Sequence, residues 1–244
     1  MSFWNSAIGA MIGFTLGGPI GALLGGVIGS RFGSKGNRSS FSSNQQHQVA
    51  FFTALFACLA KLAKADGRVS KEEVQAVDRF IKERFKFDTD QRKFAIEIFN
   101  HAKEDHNTYE DYAYQLSSLL KNNKNALLVF YELLFELAMA DGVLHEKEEE
   151  FLRSTVDIFN IDPNIFENLK SQSFDSNLSP YSVLGVSEDM DFEEIKKIYR
   201  RKRKEFHPDV LTSKGLPEEL IERAKEKFIE IQEAYEAIEK KMNQ

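Results

Sequence analysis

The chain is expected to be all-α, in three helical parts, and three features of its 244 residues lead there. Residues 1–30 carry no charged side chain and repeat glycine at every fourth position. The middle of the chain holds two ungapped copies of one helix–turn–helix pattern. Near the end, His207-Pro208-Asp209 stands between two stretches whose apolar residues recur at helical spacing. The organisation predicted from these features is a transmembrane segment (1–30), a polar juxtamembrane linker (31–48), a helical body (49–170), a short linker (171–178) and a terminal helical-hairpin domain (179–244).

The first element is the apolar one. As a helix, Ala7 to Ile28 would extend about 33 Å, close to the thickness of a bilayer's hydrocarbon core. Gly9, Gly13, Gly17, Gly21, Gly25, Gly29 and Gly33 form an unbroken ladder within and just beyond it. That much glycine disfavours helix in water, whereas lipid makes an internally hydrogen-bonded helix nearly obligatory. Four residues advance a helix by about 400 degrees, so the glycines trace a slowly winding groove suited to close backbone packing. Membrane lipid and a second copy of the chain are therefore expected partners, with Gly9, Gly13, Gly17, Gly21, Gly25 and Gly29 at the homodimer seam. Pro19, preceded by Gly17 and Gly18, leaves a kinked or re-entrant path open. Arg31, Lys35 and Arg38 follow the span and no basic residue precedes it, so the positive-inside rule leaves the N-terminus outside and the bulk of the chain in the cytoplasm. A cleaved secretory signal fits less well, because there is no early Lys or Arg.

From Val49 to about Leu169 apolar residues continue at helical period, enough for a bundle with its own core. LAKLAKADGRVSKEE (59–73) aligns without gaps on LFELAMADGVLHEKE (134–148), pairing Asp66 with Asp141, Gly67 with Gly142 and Glu73 with Glu148. These repeats resemble the TerB-like fold, a resemblance that implies these acids could bind a divalent cation, but helix capping explains them more economically. Gly67 and Gly142 can end helices, Ser70 with Glu73 forms a capping box, and Glu148 takes the equivalent place in the second copy. No metal is assigned; Asp66, Glu73, Asp141 and Glu148 are only the candidate set. Cys58, the single cysteine, sits among Phe56, Leu59 and Leu62 and is expected in the core. His101 and His106 lack zinc-site spacing.

The last part is the most specific. Ser179-Pro180 opens the short segment PYSVLGV, with serine placed to cap and proline at the first helical position, and Gly185 ends it. Asp191 and Glu194 start the next helix, which puts Ile195, Ile198, Tyr199 and Phe206 on one face. Pro208 forces that helix to stop at the tripeptide, and a loop is expected to follow. Pro217-Glu218-Glu219 restarts a helix carrying Leu220, Ala224, Phe228, Ile231, Tyr235 and Ile238 as its stripe.

This constellation resembles the J domain, the module that activates DnaK-type chaperones. The resemblance implies that His207, Pro208 and Asp209 dock on the chaperone and trigger its ATP hydrolysis. Lys196, Lys197, Arg200, Arg201, Arg203 and Lys204 would steer the encounter with an acidic chaperone surface. Lys202 departs from the family pattern, which usually has leucine there, and Val210 replaces a frequent lysine. The central repeats are similar to the TerB-like fold. The order of membrane span, TerB-like bundle and J domain resembles the DjlA family of bacterial inner-membrane co-chaperones. It implies a membrane-anchored activator of a partner's ATPase, delivering the chaperone to membrane-proximal clients, and not itself an enzyme.

The other classes fare worse. A net charge of −6 and an acid-rich helix after the basic run argue against nucleic acid as a partner. There is no phosphate-cradling loop and no nucleophile with a plausible base, so no cofactor is expected. The remaining alternative is an envelope-stress or metal-responsive interaction protein with a degenerate J domain, raised by Lys202.

Overall fold

The computed structural model describes residues 11–12, 16–32, 38–39, 43–64, 75, 77–79, 81–82, 85, 87–120, 123–139, 142–174, 179–213 and 218–242. They are helical apart from turns and one two-residue parallel pairing, β1 (Met11–Ile12) with β2 (Arg38–Ser39). The all-α expectation holds. Two compact units divide the chain, 1–160 and 161–244.

The first unit contains α1 (Gly18–Phe32), α2 (Ser43–Ala63), α3 (Thr89–Glu104), α4 (Tyr109–Leu119), α5 (Lys124–Ala138) and α6 (Glu146–Phe159). Helix α2 is central and packs against α3, α4, α5 and α6. Its composition explains the position. Residues 49–60 are all buried, so this helix is apolar around its whole circumference. Phe51 and Phe52 anchor an aromatic cluster. Phe51 meets Phe130 edge-on at 5.1 Å, while Phe52 meets Phe87 at 5.4 Å and Phe85 at 5.7 Å. Cys58 is fully buried, and burial pushes its thiol well above the ordinary range, as suits an inert core residue.

Local signals start the surrounding helices. Asp88 accepts from the amides of Asp90 and Gln91 while Gln91 accepts from Asp88 N, a reciprocal box that opens α3. Thr108 with Asp111 repeats the device at α4, and Asn123 caps α5 through Ala126 N. In the second repeat turn Gly142 has φ +85, a conformation that glycine adopts without strain. Glu148 then accepts from His145 N at 3.0 Å, the capping role expected for it. Asp66, Gly67, Ser70, Glu73 and Asp141 lie outside the described residues. Among the described residues no group of acids, histidines or cysteines is placed to hold a metal ion.

The apolar N-terminal segment departs from expectation. A single helix from Ala7 to Ile28 does not form: Met11–Ile12 is extended, and α1 begins only at Gly18. The break falls at Gly17-Gly18-Pro19, where Gly18 has φ +68 and proline occupies the second helical position, which needs no amide donor. At 15 residues α1 extends about 22 Å. No helix among the described residues is long and apolar enough to cross a membrane. Of the ladder, Gly9, Gly13 and Gly33 lie outside the described residues, and Gly17, Gly21, Gly25 and Gly29 are in or beside α1. The expected polar linker is also partly helical, since α2 starts at Ser43.

The second unit contains α7 (Ile165–Phe174), α8 (Pro180–Leu184), α9 (Phe192–Glu205), α10 (Pro208–Ser213) and α11 (Glu218–Met242). Helix α7 falls in this unit by its contacts and packs on α8, with Phe166 buried. Helix α11 is the spine of the unit and contacts α8, α9 and α10.

Candidate functional site

The site is the tip where α9 meets α11, and the scaffold under it is built from short-range signals. Ser179 accepts from Ser182 N at 3.2 Å to open α8, and Gly185 closes it at φ +62, donating to Ser182 O while Val186 N donates to Tyr181 O. Asp191 accepts from Glu193 N at 3.0 Å and starts α9. Ile195 and Phe206 are buried on the face predicted for them, opposite Ala224, Ile231, Tyr235 and Ile238 of α11. Tyr199 and Tyr235 stack with centroids 4.0 Å apart, and Phe192 lies on the same Tyr235 ring at 6.0 Å. These rings hold the two helices in register along the seam.

Lys202 does not break that seam. It is half-buried, and its Nζ lies 3.4 Å from where a Cβ on Gly185 would stand, beside the Asn168 amide of α7. The long stem lets the ammonium leave the helix pair toward the α8–α9 turn. Glu205 is half-buried one turn further on. Burial pushes its carboxyl above the usual range, Asp162 adds to the rise, and Arg201 and Lys202 oppose it. An acid with a raised folded-state pKa destabilises the fold in its charged form, and this penalty vanishes below the unfolded carboxylate pKa near 4.3. Glu205→Gln is therefore expected to raise the thermal stability of this unit at neutral pH. The gain should fade on acidification below about pH 4; an equal gain at both pH values would contradict it.

The tripeptide itself corrects one expectation. Helix α9 does end at Phe206, as Pro208 requires, but no open loop follows: α10 begins at Pro208 and runs to Ser213. The residue that cannot continue one helix is well placed to begin another, because its fixed φ suits the first helical position. His207 supplies the cap, with Nδ1 accepting from Asp209 N at 3.3 Å. This bond assigns the neutral ring's proton to Nε2, the nitrogen left for other contacts.

Phe228 of α11 completes the tip. Its ring meets His207 edge-on at 5.5 Å and an 87° interplanar angle, and the Arg203 guanidinium lies 5.8 Å from its centroid. One side chain thus orients both the imidazole and an arginine of the basic face. Periodicity had placed Phe228 only in the core stripe; its link to His207 depends on where α10 sends the chain, which spacing does not encode. Phe228→Leu keeps apolar volume, so its expected stability cost is below about 1.5 kcal/mol. The His207 ring signals should nevertheless shift in NMR spectra while Phe228→Tyr leaves them in place. Unchanged signals in the leucine variant would reject the contact.

Charge is arranged around this tip without being spent in it. Lys197, Arg200, Arg201, Arg203 and Lys204 are exposed, and Lys196 is half-buried with Glu193 at 3.7 Å, a surface pair of little energetic consequence. Asp209 is 92% exposed, its carboxylate 3.8 Å from His207 Nδ1. The structure sets the tripeptide at the end of the basic helix face, as their order in the sequence implies. The result is an exposed cationic helix face that ends in an exposed carboxylate.

Comparison with known proteins covers most of the chain. Three family models match: the co-chaperone DjlA transmembrane domain over residues 1–39, the tellurite resistance protein TerB over 52–171, and the DnaJ domain over 179–243. Among curated relatives, the co-chaperone protein DjlA of Photobacterium profundum is 30% identical, with 97% of this chain aligned to 98% of the relative. The DjlA proteins of Photorhabdus laumondii and Coxiella burnetii are 29% and 31% identical, covering 98% and 83% of this chain and 91% and 81% of the relatives. No solved structure matches the chain.

Proposed function

From the premise that this chain belongs to the DjlA family of co-chaperones, a membrane-anchored bacterial J-domain group, we propose that it docks a cytosolic DnaK-type chaperone on the α9–α10 tip and accelerates the chaperone's ATP hydrolysis. The observation that carries this reading is the solvent-facing Asp209 carboxylate beside a fixed His207, at the end of a helix with five exposed cations. A planar carboxylate on a rigid turn suits a bidentate arginine on the partner, which fixes orientation as well as affinity. The cations raise the encounter rate and make it salt-dependent. The chain is a regulator of a partner's chemistry: its residues position the chaperone, and the nucleotide stays on the chaperone.

The finer assignments belong to the same proposal. The N-terminal segment anchors the chain in the inner membrane with the N-terminus outside and both helical units in the cytoplasm, as the positive-inside rule indicates. The ladder of Gly9, Gly13, Gly17, Gly21, Gly25 and Gly29 brings two copies together in the bilayer, so that lipid and a second chain are both partners. Tethering raises the local concentration of chaperone at membrane-proximal clients. The test is steady-state ATP turnover of the cognate chaperone with the full chain in vesicles. Turnover should rise with the amount of chain and fall back with added salt. A flat response at every concentration would return the alternative, an interaction protein with a degenerate J domain.

A further inference from the structure

Residues 1–39 match a transmembrane-domain family, yet the described part of the same segment is packed on protein. Helix α1 lies against α2, α3 and α4, and Leu16, Ile20, Leu23, Leu24 and Val27 are all buried there. Positions 20, 23, 24 and 27 follow the i, i+3, i+4, i+7 pattern of one helix face, the stripe by which a helix joins a water-soluble core. Its other face is made of small residues: Gly18, Ala22 and Gly26 are exposed. Over residues 16–27, the exposed positions of α1 carry almost no hydrocarbon.

The bundle also meets the polar needs of α1. Gln115 of α4 donates from Nε2 to Gly17 O at 2.6 Å and to Leu16 O at 3.2 Å, and its Oε1 accepts from Ile20 N at 2.7 Å. One amide side chain from another helix thus caps the start of α1. Gly18 has φ +68, which strains any residue with a Cβ, and a Cβ there would also stand 2.9 Å from Gln115 Oε1. Gly26 passes His101 of α3 with its Cβ position 3.7 Å from Nδ1.

We infer that the α2–α3–α4 face of the central bundle is a stowage groove for the chain's own membrane segment, occupied by α1 away from a bilayer and vacated on insertion. The inference rests on the membrane anchoring proposed above. Lipid competes for the same apolar stripe, and a short helix with a glycine-marked break at its start can leave the groove without unfolding the bundle. Two ladder glycines, Gly21 and Gly25, are buried and half-buried against the bundle, so leaving the groove also frees that seam for a second helix in lipid.

Cysteine cross-linking of the full chain tests this. Gly26→Cys and His101→Cys are introduced in a Cys58→Ala background, and the protein is made by cell-free translation with and without inner-membrane-lipid vesicles. Carbonate extraction independently reports insertion. An intramolecular disulfide should form under mild oxidation without vesicles and fall several-fold in the inserted fraction. In the unmodified chain, amide exchange in Phe94–Ala102 and Tyr109–Leu116 should quicken on insertion, a reading that does not depend on the variants folding.

Several results would overturn the groove. A disulfide between two chains would make a second copy the occupant; equal cross-linking before and after insertion would show that α1 never leaves. Failure to cross-link without vesicles, together with exchange unaltered by insertion, would show that it is never stowed. Failure of carbonate-resistant insertion alone would instead reject the anchoring on which the inference rests.

Discussion

Asp209→Asn should abolish most of the chaperone stimulation while leaving the helical content and melting of the C-terminal unit unchanged. The side chain is 92% exposed and supports nothing in its own fold; His207 is held through the backbone amide of Asp209, which the substitution keeps. What is lost is the negative charge offered to the partner. A hydrogen bond to a charged group is worth roughly 1.5–3 kcal/mol, so the response should drop about tenfold to a hundredfold at sub-saturating chain. His207→Gln adds a separate route to the same loss, because it removes the edge contact with Phe228. The chaperone's turnover with each purified variant, beside its circular dichroism, decides the matter. Undiminished stimulation by Asp209→Asn would remove the tip from the mechanism and leave only the basic face as a docking element.

The tip was legible because its signals are local. Ser179, Pro180, Gly185, Asp191 and Pro208 each act within one helical turn, so their structural consequences can be derived from spacing alone. The partners of long side chains could not be. Lys202 leaves the seam for a turn about 17 residues earlier in the chain, and Phe228 reaches His207 across a helix that spacing treated as loop. The N-terminal segment shows the same limit from the other side. Its composition predicts a lipid-spanning helix, while Gln115, about 95 residues away, supplies the contacts that end it at Gly17. Hydropathy measures what a segment would gain in lipid but not what a neighbouring helix offers in competition.

Asp105→Ala should cost the central bundle about 3–5 kcal/mol, the range for breaking one partner out of a largely buried ion pair. The Asp105 carboxylate sits where the end of α2 meets the α3–α4 turn. Lys61 Nζ donates to Oδ1 at 2.6 Å and to the Asp105 carbonyl at 3.1 Å; the Tyr112 hydroxyl and Asn107 Nδ2 donate to Oδ2; and Asn107 N donates to Oδ1 at 3.2 Å. The Lys61 and Asp105 side chains are 11% and 23% exposed, so water can take over only part of the role of the lost carboxylate. Alanine would strand a buried ammonium with one carbonyl and leave a buried phenol without its acceptor. Replacing both charges tests the cause. Lys61→Met with Asp105→Leu removes the ammonium along with its partner, and should recover the share of the loss due to the stranded ammonium, while the share due to the Tyr112 phenol remains. Urea unfolding of the full chain, with hydrogen exchange in Thr89–Glu104 and Tyr109–Leu119 to locate the loss, gives the cycle. A loss below about 1 kcal/mol would mean that the pair behaves as a solvated surface bridge, and the α2–α3–α4 corner would then owe its rigidity to apolar packing alone.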